Sequence, residues 1–299
     1  MGGREGDVTQ ALRTRLGGWA LLAPLGALLG LLLVVPLGIG LWYSFREGSI
    51  LGIGSSLTLD NYRDVLGRDS FWVAVRTSVL YGAATALTAV LFGFFIARYV
   101  RFERPRYARL IVGAALLAIM GGYLVRIYAW RTLLSDGGVI NSGLIEAGVI
   151  DSPLRSLLFS PGAVIATLVS IYAPYATLVI LSGLDNVGDD EVEAARDLGA
   201  GPVRAYKLVV LPLIGRSVLL AFSLVFLLSA ADYVIPPLVG GPRTQMAGVF
   251  VANQFLATGD TPMGAAFGFT TLLVLAFVVT LVWAALRVVG MLPKEAVRR

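Results

Sequence analysis

Six long apolar stretches separated by more polar segments make up nearly half of this 299-residue chain. They run over about residues 19–43, 75–97, 109–130, 161–184, 213–235 and 265–287. A helix needs roughly 20 consecutive apolar residues to cross about 30 Å of hydrocarbon. In lipid a spanning segment must also satisfy its own backbone hydrogen bonds, which a helix does internally. Each stretch therefore predicts a transmembrane helix, and the chain an all-α polytopic membrane protein with six of them. The first stretch is too long for the apolar part of a signal peptide and lacks a small-x-small cleavage pattern, so it reads as a retained helix. No internal repeat or low-complexity linker divides the chain. One membrane domain is expected over residues 19–290, with a polar segment before it (1–18) and a short tail after it (291–299).

Composition agrees and narrows the chemistry. Hydrophobic residues make up 57% of the chain and charged residues 14%, with a mean hydropathy of +0.80, whereas a soluble domain holds about 25% charged residues. Cys and His are both absent, which removes disulfides, thiolate nucleophiles, imidazole bases and the usual zinc ligands at once. Gly-x-Ser-x-Gly and His-Glu-x-x-His patterns are also missing. Neither catalysis nor a metal site is predicted on this chain.

The net charge of +5 would suggest nucleic acid in a soluble protein, but in a membrane protein its distribution over the loops decides. With the N-terminus inside, eight cations fall in outer segments: Arg46, Arg63, Arg68, Arg76, Arg126, Arg131, Arg155 and Arg243. The other sixteen of the 24 fall in inner ones, among them Arg98, Arg101, Arg104, Arg106 and Arg109. Cytoplasmic loops carry the Lys/Arg excess. Both termini and the loop between the fourth and fifth spans are thus predicted to be cytoplasmic, and Ser55, Ser142 and Thr244 to lie outside. The arginine cluster reads as a topology anchor beside lipid headgroups, and no nucleic-acid partner is expected. Within the spans, Gly26 and Gly30 are spaced to let another helix approach, and Pro24, Pro36 and Pro174 read as kinks.

The polar loop over about 185–212 carries most of the functional information. Asp189, Asp190, Glu191 and Glu193 crowd one point, where negative charge suits a helix N-terminus. Val192, Ala195 and Leu198 or Gly199 then share a narrow face of small and apolar residues. Gly199 is placed to end that helix, and Gly201-Pro202 to start a second short one that leads back to the bilayer at Pro212.

Glu193-Ala194-Ala195, Gly199 and Val209-x-Leu211-Pro212 resemble the "EAA" loop of permease subunits from binding-protein-dependent ABC importers; Val209 stands where that pattern usually has Ile. The likeness extends over nearly the whole chain and points most closely to the spermidine/putrescine-type permeases. It is carried by Leu59-Asp60-Asn61-Tyr62, Arg126-x-x-Ala129-Trp130, Gly138-x-Ile140-Asn141 and Leu238-Val239-Gly240-Gly241-Pro242. Relatives in that subgroup also carry iron, phosphonates or opines. The resemblance implies a type I importer transmembrane domain in a bacterial inner membrane. It would be paired with a second permease and two cytoplasmic ATPase subunits and fed by an extracytoplasmic binding protein. Glu193, Ala194, Ala195, Gly199, Leu211 and Pro212 would form the ATPase-coupling loop.

The chain has no Gly-x4-Gly-Lys-Ser/Thr phosphate loop, so ATP and Mg are expected on the partner ATPase and no cofactor on this chain. An ATP-independent secondary transporter or channel is the alternative; it would show repeat symmetry or mid-membrane carboxylates in matching halves, neither of which is present. For the substrate pathway the candidates are Asp232, Tyr233, Arg126 and Trp130. Asp232 follows about fifteen apolar residues of the fifth span, a depth at which an ionisable group is a functional candidate. Two roles stay open for it: a pathway carboxylate for a polyammonium, or a structural partner of Arg126 or of another permease. Arg126 reads as an interfacial anchor among Tyr123, Tyr128 and Trp130, aromatics that can also meet a cation face-on.

Overall fold

The computed structural model describes residues 3–49, 52–198, 201, 204, 206–242 and 244–288. Among the described residues five helices are long and apolar enough to cross a membrane: α1 (Gly3–Ser44), α3 (Asp69–Arg98), α7 (Pro161–Asp185), α9 (Leu211–Ala230) and α11 (Thr261–Val288). The remaining short helices are α2 (Asp60–Gly67), α4 (Ala108–Met120), α5 (Tyr123–Leu134), α6 (Val139–Glu146), α8 (Asp189–Asp197) and α10 (Ala247–Asn253). The all-α expectation holds but for a small antiparallel hairpin, β1 (Arg46–Ser49) and β2 (Gly52–Leu57), which pairs Arg46 with Leu57 and Gly48 with Ile53. We call this the hairpin end of the bundle, and the end carrying α8 the loop end.

Two spans differ from their expected form. The third is not one helix: α4 stops at Gly121-Gly122 and the chain resumes in α5, so that Pro105–Met120 and Tyr123–Glu146 meet at a 91° bend. Both glycines leave the helical region, with ψ of 142° and 120°, and glycine has the largest conformational entropy to lose in a helix. Hydropathy misses the break because apolar residues continue across it. The fifth span, expected to reach residue 235, ends at Ala230. The segment expected before the first span is helical from Gly3, where it is described, and runs on into that span as α1.

The core of the bundle is the trio α3, α7 and α9, packed together along much of their lengths. Because lipid tails are as apolar as leucine, burial alone does not draw spans together, and close backbone approach through small residues does more. A Cβ at Gly93 would stand 2.8 Å from Thr177 N on α7, and one at Gly82 would stand 2.7 Å from the Ala230 Cβ on α9. Trp283 Nε1 donates to Ser223 Oγ at 2.9 Å, fastening α11 to α9. By contrast α1 lies at the periphery, and no described part of this chain comes within 4 Å of a Cβ at Gly26 or Gly30.

A second apolar cluster sits at the hairpin end, where Phe71 meets Phe267 at 4.9 Å between ring centroids above Val65, Val75, Ala247 and Ala266. The short motifs found there by sequence have structural reasons. Buried Asn61 donates from Nδ2 to the carbonyls of Ser44 (3.0 Å) and Arg46 (2.7 Å), tying α2 to the end of α1. Asn141 bridges the Ser135 carbonyl (3.0 Å) and the Leu154 N–H (2.8 Å). At Gly138 a Cβ would fall 2.4 Å from Thr132 O. Thr244, expected to be reachable from outside, is instead buried, and its hydroxyl donates to Gly241 O at 2.9 Å.

Candidate functional site

At the loop end, α7 runs out at Asp185 and α8 begins at Asp189, as the acidic run predicts. Glu191 reaches back so that its carboxylate accepts from the Gly188 N–H at 3.0 Å, satisfying one of the donors a helix start leaves open. Glu193 and Ala194 are exposed, Ala195 is half-buried, and Leu198 is 89% exposed. Gly199, Pro202 and Val203 lie outside the described residues, so the expected turn and the start of the second short helix are not described. The return is made by a π-helical turn, Tyr206–Val210, that runs directly into α9. Leu211 and Pro212 occupy the first turn of α9, exposed, where proline's missing N–H is harmless.

The second region is the pair of helix breaks toward the hairpin end. Asp232 sits just beyond α9 and is 7% exposed. Its Oδ1 accepts from the N–H groups of Val234 (3.0 Å) and Ile235 (2.8 Å), capping the turn Pro236–Gly240. Its Oδ2 accepts the Tyr123 hydroxyl from the first residue of α5. One carboxylate thus joins the break in the third span to the break after the fifth. The partner anticipated from sequence, Arg126, is elsewhere: its Nη2 donates to Gly121 O at 3.2 Å.

The four candidate pathway residues do not converge. Trp130 donates from Nε1 to Ser170 Oγ on α7 at 2.7 Å and packs on the core. Tyr233, half-exposed, lines an apolar cavity of about 720 Å³ between α9, α10 and α11, together with Leu227, Gly248, Phe255 and Thr271. Sequence reasoning missed Tyr123 as the partner of Asp232. The signal available was the adjacent glycine pair, which puts the next residue at a helix start.

Residues 89–290 match the family described as "Binding-protein-dependent transport system inner membrane component". The chain belongs to this family. It is an ABC importer permease, a multi-pass membrane protein, and the ATP-independent channel or secondary transporter falls away as an alternative. The permease is 31% identical over 236 residues to the spermidine/putrescine transport system permease protein PotB of Escherichia coli K12, covering 78% of this chain and 84% of that protein. It is 27% identical over 253 residues to the inner membrane ABC transporter permease protein YdcU of the same organism, covering 79% of each. With the probable ABC transporter permease protein y4oQ of Sinorhizobium fredii it shares 28% over 278 residues, 88% of each. Its fold aligns with a chain of the bacterial ABC transporter that imports the acidic polysaccharide alginate, with a TM-score of 0.73 at 15% identity, covering 94% of this chain and 98% of that one.

Proposed function

We propose that the permease conducts a polyamine of the spermidine/putrescine class into the cell, driven by ATP hydrolysis on separate subunits that dock on the exposed face of α8, within the coupling loop 185–212. The substrate reading rests on the 31% identity to PotB over 78% of the chain. The coupling reading rests on α8, whose Glu193, Ala194 and Leu198 are exposed while Leu211 and Pro212 lead straight into a core helix. Two ATPase subunits carrying ATP and Mg, a second permease and an extracytoplasmic binding protein complete the machine in this reading. Closure of the ATPases on ATP moves α8 as a rigid body, and the attached spans switch the pathway between inward- and outward-facing. Glu193, Ala194 and Ala195 form the docking surface and Gly199 makes the turn that follows it.

The test is copurification and uptake. Leu198→Asp buries a charge against an apolar partner, and Glu193→Lys reverses charge at the helix start; both should insert normally. Leu198→Asp should lose ATPase copurification by about tenfold or more, the cost of leaving a charge unpaired in an interface. Normal copurification and normal radiolabelled spermidine uptake in both variants would refute the docking surface. Uptake of spermidine by the reconstituted parent complex, competed by putrescine and not by alginate oligosaccharides, checks the substrate class.

The same reading puts both termini and α8 in the cytoplasm. The chain has no Cys, so single replacements label cleanly. Ser142→Cys, exposed at the C-terminal side of the third-span break, should react with an impermeant thiol reagent in intact cells. Asn186→Cys, exposed beside α8, should react only after the membrane is opened.

A further inference from the structure

We propose that the loop-end tip of the second span, where α3 continues into a π-helical turn over Tyr99–Glu103, is a second handle on the coupling loop, with Arg101 and Tyr206 as its positioning residues. The inference rests on the coupling role proposed above for residues 185–212. On the incoming side of the loop, Arg101 Nη2 donates to Val187 O at 3.1 Å and its Nε stands 3.8 Å from the Asp185 carboxylate. On the outgoing side, Phe94 and Phe102 meet the Tyr206 ring edge to face, at 6.2 and 5.6 Å between centroids. The Arg98 guanidinium lies over that ring at 5.3 Å and is steadied by Glu103 at 3.1 Å. Fewer than three turns at the end of one span therefore hold both ends of the loop.

The rest of α3 cannot slide freely against its neighbours. Gly93 seats it on the α7 backbone, Gly82 seats it on Ala230, and Ser78 Oγ accepts the Ala247 N–H at 2.9 Å. Ala230 and Ala247 flank the break in which Asp232 sits. Displacement of the loop is thereby delivered along α3 to the break at the far end of the bundle. Physical continuity alone does not establish such coupling, so the test must read it directly.

The ring of Tyr206 makes these contacts, whereas its hydroxyl is buried without a hydrogen-bond partner among the described residues. In reconstituted complexes, Arg101→Ala and Tyr206→Ala should keep their ATPase at the parental ratio yet import about fivefold less spermidine per ATP hydrolysed, or lower still, while Tyr206→Phe stays within about twofold. Phe102→Cys combined with Tyr206→Cys removes two of the rings and should uncouple the complex in the same way. Bridging the two thiols with a short bifunctional methanethiosulfonate should then restore import per ATP. Parental coupling in both alanine variants overturns the proposal, as does loss of their ATPase, a bridge that fails to restore coupling, or a phenylalanine variant as poor as the alanine one. If instead Leu198→Asp leaves the ATPase bound and uptake normal, the coupling-loop reading itself fails, whatever happens at Arg101 and Tyr206.

Discussion

Asp232→Ala should destabilise the permease by about 3 kcal/mol and cut the yield of folded complex whatever the substrate. A buried hydrogen bond to a charged group contributes roughly 1.5–3 kcal/mol, and orphaning its partners costs more than the bond itself contributes. Here three donors lose their acceptor: the Tyr123 hydroxyl and the N–H groups of Val234 and Ile235. Asp232→Asn should be milder, because the amide oxygen still caps the turn and its NH2 can donate to a phenol. Tyr123→Phe should fall between, since the cap survives. Thermal unfolding in detergent, followed by size exclusion, measures all three, and the double change Tyr123→Phe with Asp232→Ala should be less than additive because the two residues touch. Parental melting in Asp232→Ala with a selective loss of spermidine uptake would instead make the carboxylate part of the pathway.

Gly93→Val should prevent stable packing of the bundle. A Cβ there would stand 2.8 Å from Thr177 N, 3.0 Å from Ala176 C and 3.2 Å from the Ala176 Cβ. The first two are backbone atoms of a long helix, so no rotamer change relieves them and α3 must separate from α7. Overpacking a tight core costs about 1–3 kcal/mol, and a branched side chain against backbone should exceed that range. Gly93→Ala is expected at the lower end. Gly113→Ala is the control: nothing described lies within 4 Å of its Cβ, and alanine favours helix by about 1 kcal/mol over glycine. Monodisperse yield after detergent extraction should follow the order Gly113→Ala, Gly93→Ala, Gly93→Val, and equal yields would mean α3 and α7 do not depend on that contact.

The long apolar runs, the arginine distribution and the acidic start of α8 were all legible in the chain itself. Each follows from local physics: twenty apolar residues have one economical conformation in lipid, cations resist translocation, and carboxylates favour a helix N-terminus. The motif Glu193-Ala194-Ala195 was likewise readable, since its residue types and spacing are local.

What tertiary structure decided is where those spans stop and which side chains meet. Hydropathy carries no mark at Gly121-Gly122, where apolar composition continues, and after Ala230 the single carboxylate of Asp232 reads as an ionisable group at depth rather than as a helix end. The two breaks are joined by a contact far apart in sequence: Asp232 caps its own turn while accepting from Tyr123, 109 positions earlier. The same reason hid the contacts of Arg101 and Tyr206, which are an ordinary inner cation and an ordinary aromatic until the second span and the loop are folded together. A single chain's pattern encodes the environment each residue prefers; the identity of its partner is set only by packing, where a few tenths of an ångström at Gly82 and Gly93 determine which helices lie side by side.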